Sequence, residues 1–167
     1  MTWCSISATR ERVPGEVIPE SADLSKASGN KEEEYGAANV IDLDLSTGSY
    51  IVSGSDGTSW LKVKLAKTHC IKQVIWYTFG GDHFANWICS NTDCTDCRID
   101  SSGCKTYTLT VSSERSTADD LTPHTDCKYG DTVTLRRPGG SDIGAVSELG
   151  ITAKQGEIWG TGVWDIL

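Results

Sequence analysis

The chain has 167 residues, with 23 Asp+Glu against 15 Lys+Arg and a formal net charge of −8. At this size one domain buries roughly 68–70% of its unfolded surface, enough for a sizeable core without metal or disulfide support. The acidic balance disfavours a nucleic-acid partner, because phosphate binding needs a basic face.

The N-terminal stretch MTWCSISATRERV carries no signal-peptide core, and no apolar run approaches the ~18 residues of a membrane helix. Pro14, Pro19 and frequent Gly, Ser and Thr argue against helices in the first part of the chain. Asn39, Asp42 and Asp44 then fall close together, followed by a Ser/Gly loop. Small oxygen donors on a turn beside a strand are the ligand type that Ca²⁺ takes.

Strands follow. Leu61, Val63 and Leu65 alternate with Lys62 and Lys64, predicting a half-exposed strand. Residues 71–78, IKQVIWYT, are apolar on both faces and predict a central strand. Phe79, His83, Phe84 and Trp87 in FGGDHFANW predict an aromatic loop on a Gly hinge, suited to stacking on the apolar face of a sugar, with membrane contact left open. Tyr107, Leu109 and Val111, then Val133 and Leu135, alternate with Thr and Arg as further half-exposed strands. Short strands separated by Gly/Ser/Asp turns make the expected class all-β, an antiparallel sandwich. One domain is expected over 1–153, with a tail at 154–167, containing Trp159 and Trp164, as an extra strand or a linker.

Seven cysteines, at positions 4, 70, 89, 94, 97, 104 and 127, suit an oxidised, secreted protein. The odd count leaves one thiol free, or paired with another chain as a homo-oligomer or a disulfide-linked partner. Three readings of the cluster stay open: disulfides, with 89–94, 97–104 and 70–127 as candidate pairs; zinc on Cys89, Cys94, Cys97 and Cys104; or an iron–sulfur cluster on the C-x4-C-x2-C spacing. No hydrolase, zincin, P-loop or dinucleotide fingerprint is present, and none of His69, His83 and His124 stands beside an evident nucleophile, so no enzyme is expected.

Taken in order, ANVIDLD (38–44), SWLKVKL (59–65), IKQVIWYT (71–78), RIDSSGCK (98–105), YGDTVTLRRPG (129–139) and AVSELGI (145–151) resemble the galactose-binding-like jelly roll of F5/8 type C (discoidin) domains, and within it the F-type lectins. The resemblance implies a structural Ca²⁺ on the carbonyls of Asn39, Asp44 and Ser147, on Ser53, and on the carboxylates of Asp42 and Glu148. It also implies a sugar site on Arg98, Asp100 and Lys105, which match an Arg-x-Asp-x4-Arg/Lys motif. Asp56 stands where these lectins carry a sugar-binding His, and Ser101-Ser102 replaces their adjacent cysteine pair. The implied function is thus an extracellular calcium-containing glycan-binding module; a discoidin-type adhesion or protein-interaction domain is the alternative.

Overall fold

In the computed structural model of the chain, the residues described are 9–79, 83–87, 108–114, 127–137 and 142–154; the side chains of 84–87 and 108 are not included. Among these residues, eight antiparallel strands form the body: β1 (Pro19–Leu24), β2 (Ser49–Ile51), β3 (Ser59–Tyr77), β4 (His83–Trp87), β5 (Thr108–Ser112), β6 (Lys128–Arg137), β7 (Gly144–Val146) and β8 (Glu148–Ala153). Helical structure among these residues is limited to 3-10 turns at Ser28–Asn30 and Ala37–Val40 and the four-residue helix α1 (Glu32–Tyr35).

The two strand segments expected at 61–65 and 71–78 are one strand. The 19 residues of β3 serve both halves of the domain. Its first half lies between β1 and β6, and its second half between β8 and β4, with the β6 register shifting between Lys64 and His69. Side-chain pattern follows this division. Leu61, Val63 and Leu65 are fully buried between solvent-facing lysines, whereas Val74, Ile75, Trp76 and Tyr77 are buried in succession. A strand covered on both faces reads as a continuous apolar run. β5 joins the far edge of β6, and β2 and β7 form a separate two-stranded layer.

The core gathers Leu61, Val63, Leu65, Ile71, Val133, Leu135, Val146 and Ile151 with Val40 and Ile51 from the loop side. The expected alternation on β6 is only half right, since Thr132 and Thr134 are buried along with Val133 and Leu135. The Thr132 hydroxyl is accommodated locally: Oγ1 donates to Asp131 Oδ1 at 2.8 Å, and that carboxylate also accepts the Glu114 N–H at 3.0 Å. Beside the main core, Cys70 and Cys127 form a buried disulfide packed against Tyr129, joining β3 to the residue that precedes β6. This is the cross-strand pair among the candidates. The other five cysteines lie outside the described residues.

Residues 9–17 form a strap across one side of the sandwich. Arg10 N–H donates to Leu43 O at 2.9 Å, Val17 N–H to Ile151 O at 2.8 Å, and Ala153 N–H to Gly15 O at 3.0 Å. The strap therefore touches both the 39–48 loop and β8.

Candidate functional site

Tyr77 pairs with Glu148 on one side and with His83 on the other, so three strands put these residues in one row. Directly opposed residues on neighbouring strands share a face of the sheet. The Tyr77 and His83 rings stand 5.6 Å apart, and the Arg10 guanidinium lies over Tyr77, 4.5 Å from its centroid. Burial pushes the Tyr77 phenol upward, against the opposing pull of Arg10.

Glu148 is wholly buried, and both its oxygens are engaged. Oε1 accepts the Leu43 N–H at 2.6 Å and Oε2 accepts Arg10 Nε–H at 3.0 Å. The Asp42 carboxyl lies within hydrogen-bonding contact of it. Burial first, and the Asp42 contact second, push the Glu148 carboxyl up to about 8, although Arg10 and the Leu43 N–H pull it down. Two carboxyls in contact cannot both ionise unless a proton or a cation sits with them.

Arg10 is itself buried and forks onto Glu16, with Nη2 2.9 Å from Oε1 and Nη1 3.0 Å from Oε2. Burial opposes its charge, but Glu16 and Glu148 more than offset this and raise its pKa. If Glu16, Glu148 and Asp42 were all ionised, the one guanidinium would leave two negative charges uncompensated in this cluster; without a cation, a proton on Glu148 removes one of them.

The loop that carries Asp42 is tightly folded. Asn39 Nδ2 donates to Glu34 O at 2.8 Å and Gly48 O at 3.0 Å, closing the loop at its base. Asp42 Oδ1 accepts the Asp44 N–H at 2.8 Å and Oδ2 the Thr47 hydroxyl at 2.6 Å. The Asp44 carboxylate is taken by the Ser46 hydroxyl and N–H, which hold its pKa low, so its part toward a cation would fall to its carbonyl. Ser147 Oγ donates to Leu45 O and Thr47 O, tying the loop to the start of β8. Leu43 adopts a φ of 64°, a strained conformation for a branched side chain, which directs its N–H at Glu148.

Five of the six residues proposed for calcium thus gather where the loop meets β8: Asn39, Asp42, Asp44, Ser147 and Glu148. The sixth does not. Ser53 follows β2, and its N–H donates to Asp142 Oδ1 at 3.1 Å. The β2–β7 register pairs Ser49 with Val146, so Ser53 lies four residues, roughly 13 Å, farther along the strand direction. Strand geometry removes it from the set. The remaining donors, two carboxyls and main-chain carbonyls, are hard oxygen ligands and fit Ca²⁺ chemistry.

The expected sugar-binding residues divide. Arg98, Asp100 and Lys105 lie outside the described residues. Asp56 sits on an exposed turn, accepting the Thr58 N–H and hydroxyl, which lower its pKa. It precedes β3 while His83 pairs with the last residue of that strand, so these two do not share one surface. Residues 83–87 are strand β4 and not a loop, because they pair with Gln73–Tyr77 along its whole length. The side chains of Phe84 and Trp87 are not described. Phe79 is 48% exposed, with its ring against Gly48. Tyr50, two residues beyond Gly48 and 41% exposed, points to the same face in extended chain.

Sequence reasoning missed Arg10, Glu16 and Tyr77. The available signal was Arg10 in an otherwise unassigned N-terminal stretch, but nothing local shows that this stretch crosses β8.

No protein-family model matches the chain, and no curated protein matches it. Among solved structures it is similar to the F5/8 type C domain of a Bacteroides fragilis protein, at 12% identity and a TM-score of 0.51, covering 86% of this chain and 99% of that one. It is also similar to a histidine mutant of the lectin-binding domain of lectinolysin complexed with Lewis b, at 13% identity and a TM-score of 0.50, covering 86% and 98%. At such identities the likeness is one of fold, and the fold of this chain is the galactose-binding-like β-sandwich of F5/8 type C domains.

Proposed function

We propose that the chain is an extracellular carbohydrate-binding module, non-catalytic, with a structural Ca²⁺ at the junction of the 39–48 loop and β8. The observation that carries the metal reading is the Asp42–Glu148 carboxyl pair, buried on the Glu148 side and unable to ionise fully without a cation. A divalent cation would neutralise that cluster, and Asn39, Asp44 and Ser147 would supply neutral oxygens. When bound, the ion would lend the loop rigidity. The chain's own residues do the rest: Asn39 closes the loop, Leu43 and Arg10 orient the Glu148 carboxylate, and Ser147 holds two loop carbonyls.

The glycan reading rests on this fold, on the lectinolysin domain bound to Lewis b, and on the exposed rings of Phe79 and Tyr50 beside the loop. Aromatic faces stack on the apolar face of a pyranose. Arg98, Asp100 and Lys105 are the proposed polar contacts, since cations and a carboxylate match hydroxyl pairs. The buried Cys70–Cys127 disulfide favours an oxidising compartment.

A glycan array, run with calcium and with chelator, tests this reading. Binding that is lost in Arg98→Ala and weakened in Phe79→Ala is the expected result. An empty array together with self-association would point to the adhesion alternative.

A further inference from the structure

We propose that Arg10 sets the affinity of the carboxylate site for its divalent cation, by holding one oxygen of Glu148 as a resident positive charge. The inference rests on the calcium reading above and deepens it.

Three observations combine. Arg10 Nε–H occupies Glu148 Oε2 at 3.0 Å, leaving Oε1, which already accepts Leu43 N–H, as the oxygen nearer the loop. The guanidinium cannot turn away, because its two other nitrogens are forked onto Glu16 and its face lies on Tyr77. Gly150 keeps that fork in place, since a Cβ there would collide with the Glu16 carboxylate. Arg10 is therefore a fixed charge, within one carboxylate of any ion bound between Asp42 and Glu148. A fixed positive charge repels a second cation and competes for the shared oxygen. Glu16 takes the two terminal nitrogens and Glu148 the Nε–H, so Glu16 reaches the ion site only across the guanidinium and offsets this in part.

The consequence is a site tuned to be weaker than its oxygen donors alone would make it. It is also a site whose strength depends on a residue outside the loop, brought there by the 9–17 strap. In this sense Arg10 is a positioning residue acting through Glu148.

The test is calorimetric titration of the full chain with Ca²⁺, alongside Arg10→Met/Glu16→Gln and Arg10→Lys. The double variant removes the Arg10–Glu16 pair as a unit and leaves Glu148 the Leu43 N–H and the added cation as partners, and thermal melts of each protein check that it is folded. The expected result is a Ca²⁺ affinity about tenfold tighter in the double variant, with Arg10→Lys near the wild-type value. A purely supporting role for Arg10 would weaken binding in both variants, and that result, or equal affinity in all three proteins, overturns the inference while leaving the calcium reading intact. Uptake by the double variant alone supports the inference and overturns the calcium reading for the native chain. Uptake by none of the proteins overturns both.

Discussion

Glu148 and Leu43, 105 residues apart in sequence, are joined by a 2.6 Å hydrogen bond from the Leu43 N–H to Oε1. Leu43 reaches that position only by taking a positive φ, and its own carbonyl accepts the N–H of Arg10. One residue of the loop thus binds both the start of β8 and the N-terminal strap. The strain is held by contacts on either side, a pattern common where a site must be preorganised.

The raised Glu148 carboxyl gives the calcium-free domain a defined pH dependence. Its folded pKa of about 8 exceeds the ordinary 4.5, so the native state binds the extra proton between those values. Stability from this group is fully present below the ordinary value and is lost as pH rises through about 8. Melts in chelator should therefore fall by roughly 5 °C or more between pH 5 and pH 8.5. Glu148→Gln, neutral throughout, should flatten that decline, and a wild-type melt that rises over the same interval would contradict the assignment.

Gly150 is required by close approach. A methyl group at this position would meet the Glu16 carboxylate, which is buried and anchored by Arg10. Gly150→Ala should destabilise the fold by roughly 2 kcal/mol, as overpacking does. Urea denaturation measures this directly, and a change within about 0.5 kcal/mol, the usual range for a neutral surface site, would show that the strap yields freely.

The Cys70–Cys127 disulfide closes a sequence separation of 57 residues. On the chain-entropy view, a loop of that length contributes about 4 kcal/mol. Cys70→Ala/Cys127→Ala should lose a large part of this in denaturant unfolding, the deleted sulfurs being buried beside Tyr129. A double variant as stable as wild type would place the covalent contribution near zero.

Much of the fold was legible because β periodicity is local. Leu61, Val63 and Leu65 announce a half-buried strand, and residues 71–78 a central one. That the two are one strand was not legible, since only the change of partners between β1/β6 and β8/β4 shows it. The aromatic stretch read as a loop because its Gly-Gly pair suggested a hinge, whereas pairing to β3 decides its state. At the candidate site, Asp42 was legible in the cluster of small oxygen donors at 39–44, whereas Glu148 came from family resemblance, which also brought in Ser53, a residue bonded to Asp142 away from the other five. Arg10 and Glu16 were hidden for a different reason. A buried ion pair is specified by long-range packing, and an Arg in a polar N-terminal stretch looks like any solvated charge.

The central claim is that Asp42 and Glu148 hold a structural Ca²⁺. It is tested most directly by thermal unfolding at neutral pH in calcium and in chelator, for wild type and Asp42→Ala. The account predicts that calcium raises the wild-type midpoint in proportion to the logarithm of its concentration, by about 2.7 kcal/mol of stability at a hundredfold excess over Kd, while Asp42→Ala does not respond. A wild-type midpoint identical in calcium and chelator would contradict it.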